Sequence, residues 1–123
     1  MKNAINWFEL PVQDLARARK FYETTLGASL RAETMGPMQM AIFPYAPGKG
    51  VGGALVKHAD FKPSADGAVV YLDAPDLDAC LTRAEKAGGK VVLPRTDIGD
   101  PGFIAMIVDT EGNRVGLHAE RAA

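Results

Sequence analysis

Apolar and polar residues follow one another in blocks that predict strands and helices in a fixed order. The first block, Ile5 to Leu10, is rich in β-formers and ends at Pro11, which lacks the N–H that continues a sheet ladder. A helix should then run from Asp14, its cap, to Gly27, its stop, since apolar residues recur between them at steps of three and four. Three short apolar runs after it predict strands over residues 28–33, 38–43 and 53–57.

The same order begins again after a polar segment. Residues 58–66 have little apolar content beyond Phe61 and form the best linker candidate. A strand over residues 69–73 follows, and then a helix from its cap Asp76 to Gly88-Gly89. Three last strands are predicted over residues 90–93, 103–108 and 114–118, the final two joined by the turn Asp109-Thr110-Glu111-Gly112-Asn113.

A shift of 62 positions superimposes the two halves. It places Asp14 on Asp76, Gly27 on Gly89 and Leu55 on Leu117. The sequence therefore predicts an α+β fold, one domain over residues 3–119 built from two tandem βαβββ modules. The first module covers about 3–57, the linker about 58–66 and the second module about 67–119. Because one helix covers only one face of each sheet, we expect the two uncovered faces to pair around a cleft that holds a ligand.

Composition excludes several classes of partner. Fourteen basic and fifteen acidic residues in 123 give a net charge of −1, so no overall field draws the protein to nucleic acid or to anionic lipid. No apolar run approaches the ~20 residues that cross a bilayer, so we expect no membrane partner. Cys80 has no partner for a disulfide, and Met1-Lys2-Asn3 opens no signal sequence. A cytoplasmic protein is expected.

Three motifs carry a resemblance to a known family. They are Glu9-Leu10-Pro11-Val12-Gln13-Asp14-Leu15, the pair Phe21-Tyr22, and the closing turn Asp109 to Asn113. Together with the two modules they resemble the vicinal oxygen chelate superfamily, which groups glyoxalase I, extradiol dioxygenases, fosfomycin-modifying enzymes and bleomycin resistance proteins. The resemblance implies a barrel-like cleft of the glyoxalase/bleomycin-resistance type, and a homodimer. The cleft closes either within one chain or by exchange of modules between two chains.

The same resemblance implies four positions for metal ligands. Two lie seven residues before the aspartate that begins each helix, and two are acids on the fourth and eighth strands. In this sequence these positions are Trp7, Val69, Ala54 and Gly116. None of these side chains donates to a divalent ion, so we expect no metal and no other cofactor. The alternative is a relocated divalent metal held by Glu9, Asp73 and His118.

Strand alternation predicts which side chains line the cleft. We expect a ligand to contact Trp7, Glu9, Val69, Tyr71, Asp73, Met106 and His118. Glu9 either pairs with His118 or an arginine, or it anchors a ligand or acts as a general base.

The neighbours of Glu9 in this set also have two readings. Trp7 either fills the vacant metal position or stacks on a ligand, and Tyr71 either donates its hydroxyl to a ligand or packs against the other module. His118 either has its partner at the end of the sheet or contacts the ligand or Glu9.

Two further features predict no chemistry of their own. Gly50, Gly52 and Gly53 lack the Lys-Ser or Lys-Thr and the helix start of a phosphate loop, so they should let a ligand or a backbone come close. Cys80 lies on the second helix beside Leu81 and is expected to be buried and unreactive.

Three functions fit these observations. The first is a metal-free protein that encloses a small, largely apolar molecule, as the bleomycin resistance type does. The second is a lyase or isomerase resembling glyoxalase I, with Glu9 as general base or with a relocated divalent metal. The third is a subunit whose fold serves protein association.

Overall fold

The computed structural model describes residues 3–122. Met1 and Lys2, on which the expectation about a signal sequence partly rests, lie outside the described residues. The elements are β1 (Trp7–Pro11), α1 (Leu15–Leu26), β2 (Arg31–Met35), β3 (Met38–Ile42), β4 (Gly52–Lys57), β5 (Tyr71–Asp73), α2 (Leu77–Lys86), β6 (Lys90–Asp97), β7 (Phe103–Val108) and β8 (Arg114–Ala119). No helix in this part of the chain is long and apolar enough to span a membrane.

Each module forms one four-stranded sheet. The strand orders are β1-β4-β3-β2 and β5-β8-β7-β6, and in both sheets the first pair is parallel and the others are antiparallel. This order is identical in the two halves, and the predicted α+β fold of two βαβββ modules is confirmed.

Helix α1 begins and ends as predicted. The Asp14 carboxylate accepts the backbone N–H of Arg17 at 3.0 Å, and Gly27 ends the helix in the left-handed conformation with φ 66°. Helix α2 differs, because Asp76 makes no cap hydrogen bond. Its carboxylate accepts hydrogen bonds from the Cys80 thiol and from Arg83 instead.

Two prolines lie inside strands that the sequence pattern predicted to end just before them. Pro11 is part of β1, because β1 is an edge strand in which the missing N–H leaves no bond unmade. Pro94 lies in β6, which is four residues longer than predicted and shifts its register against β7 between Leu93 and Thr96. Such an irregularity is where a sheet edge accepts proline.

The two modules share one core on their helix sides. Residues of both helices and both sheets belong to the same buried cluster, and α1 packs on α2. Phe21 of α1 lies so close to Gly89 that a Cβ at that position would be 2.6 Å from its ring. The two sheets therefore meet through their helix-covered sides, and within residues 3–122 no strand Cα atom of one sheet lies within 8 Å of a strand Cα atom of the other. The two uncovered faces do not pair within one chain, which leaves exchange between two copies for the predicted pairing.

The turn between β7 and β8 joins the modules by hydrogen bonds. Buried Asp109 accepts the Tyr22 hydroxyl at 2.5 Å, and the Asn113 amide donates to the Pro11 carbonyl at 2.7 Å. Glu111 accepts the backbone N–H groups of Gln13 and Asp14, both at 2.9 Å. The motif that carried the resemblance thus holds the second module to the start of α1.

Candidate functional site

The face of the first sheet that α1 leaves uncovered is mainly apolar. Strand alternation and register place on it, as one set that we call the first open face, Trp7, Glu9, Met40, Ile42, Ala54 and Val56. The four residues from β3 and β4 are buried and form a separate apolar cluster, against which Trp7 and Met38 pack. This face therefore has a formed apolar floor.

Two aromatic rings cover part of this floor. Tyr45 meets Trp7 edge to face with 5.8 Å between ring centroids. The Tyr45 ring also lies over Gly52, where an added Cβ would be 2.6 Å from it, and the Phe8 ring fills the space at Gly53 in the same way. The expectation that these glycines admit a ligand or a backbone is therefore wrong, because side-chain rings of this chain occupy the space.

Glu9 is exposed beside these rings. Its carboxylate accepts the indole N–H of Trp7 at 3.3 Å, so the partner of Glu9 is on its own strand and is neither His118 nor an arginine. Register places Glu9 opposite Ala54, one of the four metal positions that the resemblance implies. An exposed carboxylate oriented by an indole can accept a hydrogen bond from a ligand, or a proton.

A hollow of about 390 Å³ adjoins Glu9. Val56 lies at its floor, and the linker residues Asp60, Phe61 and Lys62 form its far wall. Sequence reasoning placed neither Tyr45 nor the linker at the site. Tyr45 and the linker lie in polar segments with an irregular backbone, which show no hydrophobic periodicity. The only signal in the sequence was one large aromatic residue in each of these segments, Tyr45 in the first and Phe61 in the second.

The uncovered face of the second sheet carries the remaining predicted residues. This second open face includes, by alternation and register, Tyr71, Asp73, Met106, Gly116 and His118, with Val69 just before β5. The Tyr71 ring lies across Gly116, where a Cβ would be 2.3 Å from it. The ring remains 44% exposed, so it fills a family metal position and still faces outward.

His118 has a partner at the end of its sheet. Its Nε2 lies 2.6 Å from the Pro101 carbonyl oxygen in the loop between β6 and β7. The structure of the single chain therefore agrees with the first interpretation of His118, in which the ring has its partner at the end of the sheet.

The predicted site residues thus fall into two groups. Trp7 and Glu9 lie on the first open face, and the other five belong to the second, and the chain does not bring the groups together. The predicted cleft would need a further surface opposite each face.

The donors do not fit a metal ion within one chain. Asp73 and His118 are register partners on β5 and β8, while Glu9 is on the other sheet. Among residues 3–122 no group of three His, Cys, Asp or Glu side chains could hold a metal. At the four metal positions that the resemblance implies, Trp7 offers an indole ring, Ala54 a methyl group and Val69 an isopropyl group, and Gly116 has no side chain. None of these groups is a ligand for a divalent ion.

Cys80 is buried on α2. Burial, followed by the hydrogen bond to Asp76, raises the pKa of its thiol to about 11. A thiol that stays protonated at neutral pH is a poor nucleophile, as the sequence predicted.

The chain is similar to known proteins over most of its length. The sequence model of the Glyoxalase/Bleomycin resistance protein/Dioxygenase superfamily matches residues 4–117. "Putative glyoxylase CFP32" of Mycobacterium tuberculosis (strain CDC 1551 / Oshkosh) is 30% identical over 117 residues, which cover 91% of this chain and 44% of that protein. A "Glyoxylase-like domain-containing protein" of Didymella fabae is 34% identical over 119 residues, with 89% and 88% covered.

Solved structures share the fold. The crystal structure of glyoxalase I from Zea mays matches with a TM-score of 0.70 and 25% identity, over 92% of this chain and 44% of that one. A glyoxylase/bleomycin resistance protein/dioxygenase domain from Frankia sp. EAN1pec matches with a TM-score of 0.74 and 18% identity, over 98% and 100%. The chain therefore spans somewhat less than half of the mycobacterial and maize proteins.

Proposed function

The chain belongs to the Glyoxalase/Bleomycin resistance protein/Dioxygenase superfamily, and we propose that within it this protein binds a small, largely apolar molecule on the first open face without a metal ion. The observation that carries the proposal is a hollow in which the carboxylate of Glu9 lies beside Val56 and Phe61, with Asp60 as a second carboxylate on its wall. Val56 belongs to the buried apolar cluster of this face, together with Met40 and Ile42. Ligand sites are typically apolar hollows with a few placed polar groups. The hollow of about 390 Å³ next to Glu9 has the size of such a site.

The exposed rings determine which ligands suit this face. Trp7 and Tyr45 offer aromatic surface, and the Glu9 carboxylate, bound to the Trp7 indole N–H, offers a hydrogen-bond acceptor beside it. A flat apolar molecule with one donor or one positive charge would stack on the rings and bind the carboxylate.

A second copy of the chain would complete the site. Neither open face is covered by the other sheet within its own chain, and the relatives that are about twice as long have room for two such units. In a homodimer, the first open face of one copy would meet the second open face of the other, so that Trp7 and Glu9 would face Tyr71 and His118 across one cleft.

The alternative is an enzyme of the lyase or isomerase class. It is favoured by the relatives named as glyoxylase and by the exposure of Glu9, which could remove a proton next to a carbonyl group. The negative charge left on the carbonyl oxygen would then need a hydrogen-bond donor. The Tyr71 hydroxyl of a second copy is the available choice, because Nε2 of His118 already donates to the Pro101 carbonyl.

Glu9→Gln tests both readings. We expect the variant to fold, because an exposed amide keeps the shape, and to lose at least five-fold in affinity for the best ligand among cationic, aromatic and thiol-adduct probes screened by thermal shift. Glu85→Gln on the exposed side of α2 is the matched control. Equal thermal shifts for the wild type, Glu9→Gln and Glu85→Gln would remove Glu9 from the site. Turnover of an α-ketoaldehyde thiol adduct by the wild type, lost in Glu9→Gln, would establish an enzyme.

Metal content is a second test. The protein as purified should contain well under one metal ion per chain and should keep its melting temperature in EDTA, because the four ligand positions that the resemblance implies are Trp7, Ala54, Val69 and Gly116. Stoichiometric zinc, nickel, manganese or iron, with a loss of stability in EDTA, would contradict the proposal.

A further inference from the structure

A second cavity, of about 540 Å³, lies on the helix side of the first sheet. Its floor crosses the ends of three strands, with Val12 after β1, Lys57 at the end of β4 and Gln39 on β3. Gln39 and Lys57 are register partners, and two residues further along these strands Ala41 and Leu55 belong to the core under α1. The cavity therefore lies on the opposite face of the sheet from Glu9, beyond the start of α1.

The linker forms the outer wall of this cavity. His58 and Phe61 stack loosely, with 5.1 Å between ring centroids, and the Phe61 N–H donates to the His58 carbonyl at 3.1 Å. Nδ1 of His58 accepts the backbone N–H of Asp60 at 3.1 Å. The neutral ring then carries its proton on Nε2, which makes that nitrogen a hydrogen-bond donor.

The ionisable side chains that line the cavity are basic, namely Lys57, Lys62 and His58. The carboxylate of Asp60 lies 3.8 Å from Nδ1 of His58 and lines the hollow beside Glu9 instead. Neither lysine forms an ion pair within residues 3–122. Because the whole chain has a net charge of −1, this positive cluster is a local feature and does not follow from the overall charge.

We propose that this cavity is a binding site for a small organic anion, a carboxylate or phosphate group on a short apolar body. The two ammonium groups and the His58 N–H would bind the anionic group, and Val12 and Phe61 would contact the apolar part. The volume lies in the range of small-molecule sites.

The anion site can be tested separately from the proposed function on the first open face, although the two cavities share a wall. Phe61 and Lys62 line both cavities, whereas Lys57 lines only this one. Lys57 is also exposed at a strand end, so its replacement leaves the core intact. A change at Lys57 therefore separates this site from the site at Glu9.

The test is an NMR titration of the ¹⁵N-labelled protein with phenyl phosphate, benzoate and inorganic phosphate. We expect phenyl phosphate or benzoate to shift the amide signals of residue 39 and residues 57–62 in a saturable way. The affinities of these two probes show which anionic group the site prefers. Inorganic phosphate lacks the apolar body, so its weaker affinity than phenyl phosphate gives the contribution of the apolar contact. Lys57→Gln should weaken binding at least five-fold and Lys57→Arg should restore it, while Lys86→Gln, which removes the same charge on α2, should change it less than two-fold.

Three results would overturn the proposal. They are shifts that do not saturate, shifts spread over all lysines of the protein, and equal affinity of Lys57→Gln and Lys86→Gln. The titration does not involve Glu9, so Glu9→Gln should bind these probes like the wild type even if the first open face binds nothing.

Discussion

At the scale of single residues, Glu111 has the most demanding environment in the turn that joins the modules. Its side chain is fully buried, and it accepts hydrogen bonds from two backbone N–H groups and from the Arg17 guanidinium. Burial alone would raise the pKa of this carboxyl group, but the bonds from Arg17 and from the amides of Asp14 and Gln13 lower the pKa to about 2. The ionised form is therefore the one that stabilises the fold.

The pKa of Glu111 gives a pH dependence with a definite sign. The folded-state pKa is below the ordinary 4.5, so the stabilisation is complete above pH 4.5 and is lost as the pH falls toward 2. The difference corresponds to about 3 kcal/mol in the free energy of unfolding. Urea unfolding between pH 7 and pH 2 should show this loss, and Glu111→Gln should lower stability at pH 7 by ~1–3 kcal/mol and flatten the acid slope. An unchanged slope, or an equal effect of the exposed control Glu33→Gln, would contradict the assignment.

At the scale of elements, the loop between β6 and β7 is fixed against the end of β8. The Gly102 N–H donates to the Gly99 carbonyl and the Ile98 N–H donates to the Gly102 carbonyl, each at 2.9 Å. Both glycines have positive φ, 84° at Gly99 and 112° at Gly102. A Cβ at residue 99 would meet nothing within 4 Å, whereas one at residue 102 would be 2.2 Å from the Ala119 carbonyl oxygen.

Alanine substitutions at Gly99 and Gly102 allow the stability cost of backbone strain to be compared with the cost of steric overlap. Gly99→Ala should cost about 1 kcal/mol, the usual penalty of a left-handed residue. Gly102→Ala should cost about 3 kcal/mol or more, because the backbone of β8 has to move as well. Thermal unfolding of the two variants measures the difference in their stabilities. Equal melting temperatures would show that the backbone near residue 102 moves to accommodate the added Cβ at no further cost.

Element boundaries followed the sequence where one local interaction decides them. The Asp14 cap and the Gly27 stop need only their own helix, and both were predicted. Asp76 looks the same in sequence, but Cys80 and Arg83 of its own helix donate to its carboxylate. Arg83 also donates to the Thr25 carbonyl of α1, which is a tertiary contact that a helix pattern does not include. The candidate site divides in the same way: strand alternation placed Glu9 and Tyr71 on open faces, while Tyr45 reached the site through an irregular loop.

At the scale of the whole molecule, periodicity determines which face of a sheet needs a cover but not which element provides it. The two modules were predicted correctly, whereas the sequence left open whether their uncovered faces pair within one chain or between two copies. Contacts at Gly89 and in the turn at Asp109 and Asn113 hold the helix sides together, and residues far apart in sequence make them. The open faces keep exposed apolar side chains, among them Tyr71 on the second and Tyr45 and Phe61 over the first.

A homodimer is the assembly that would cover both faces at once. A second copy related by a two-fold axis would place the second open face of each chain over the first open face of the other, forming two identical clefts. Light scattering at micromolar concentration should therefore give a mass of about 26 kDa, twice the 13.1 kDa of one chain. Tyr71→Glu should shift the mass toward one chain, because it would bury an unpaired carboxylate in the interface. Ala16→Glu adds the same charge on the exposed side of α1 and should leave the dimer intact. A mass of one chain for the wild type, or dissociation by both variants alike, would mean that the open faces are not covered in this way.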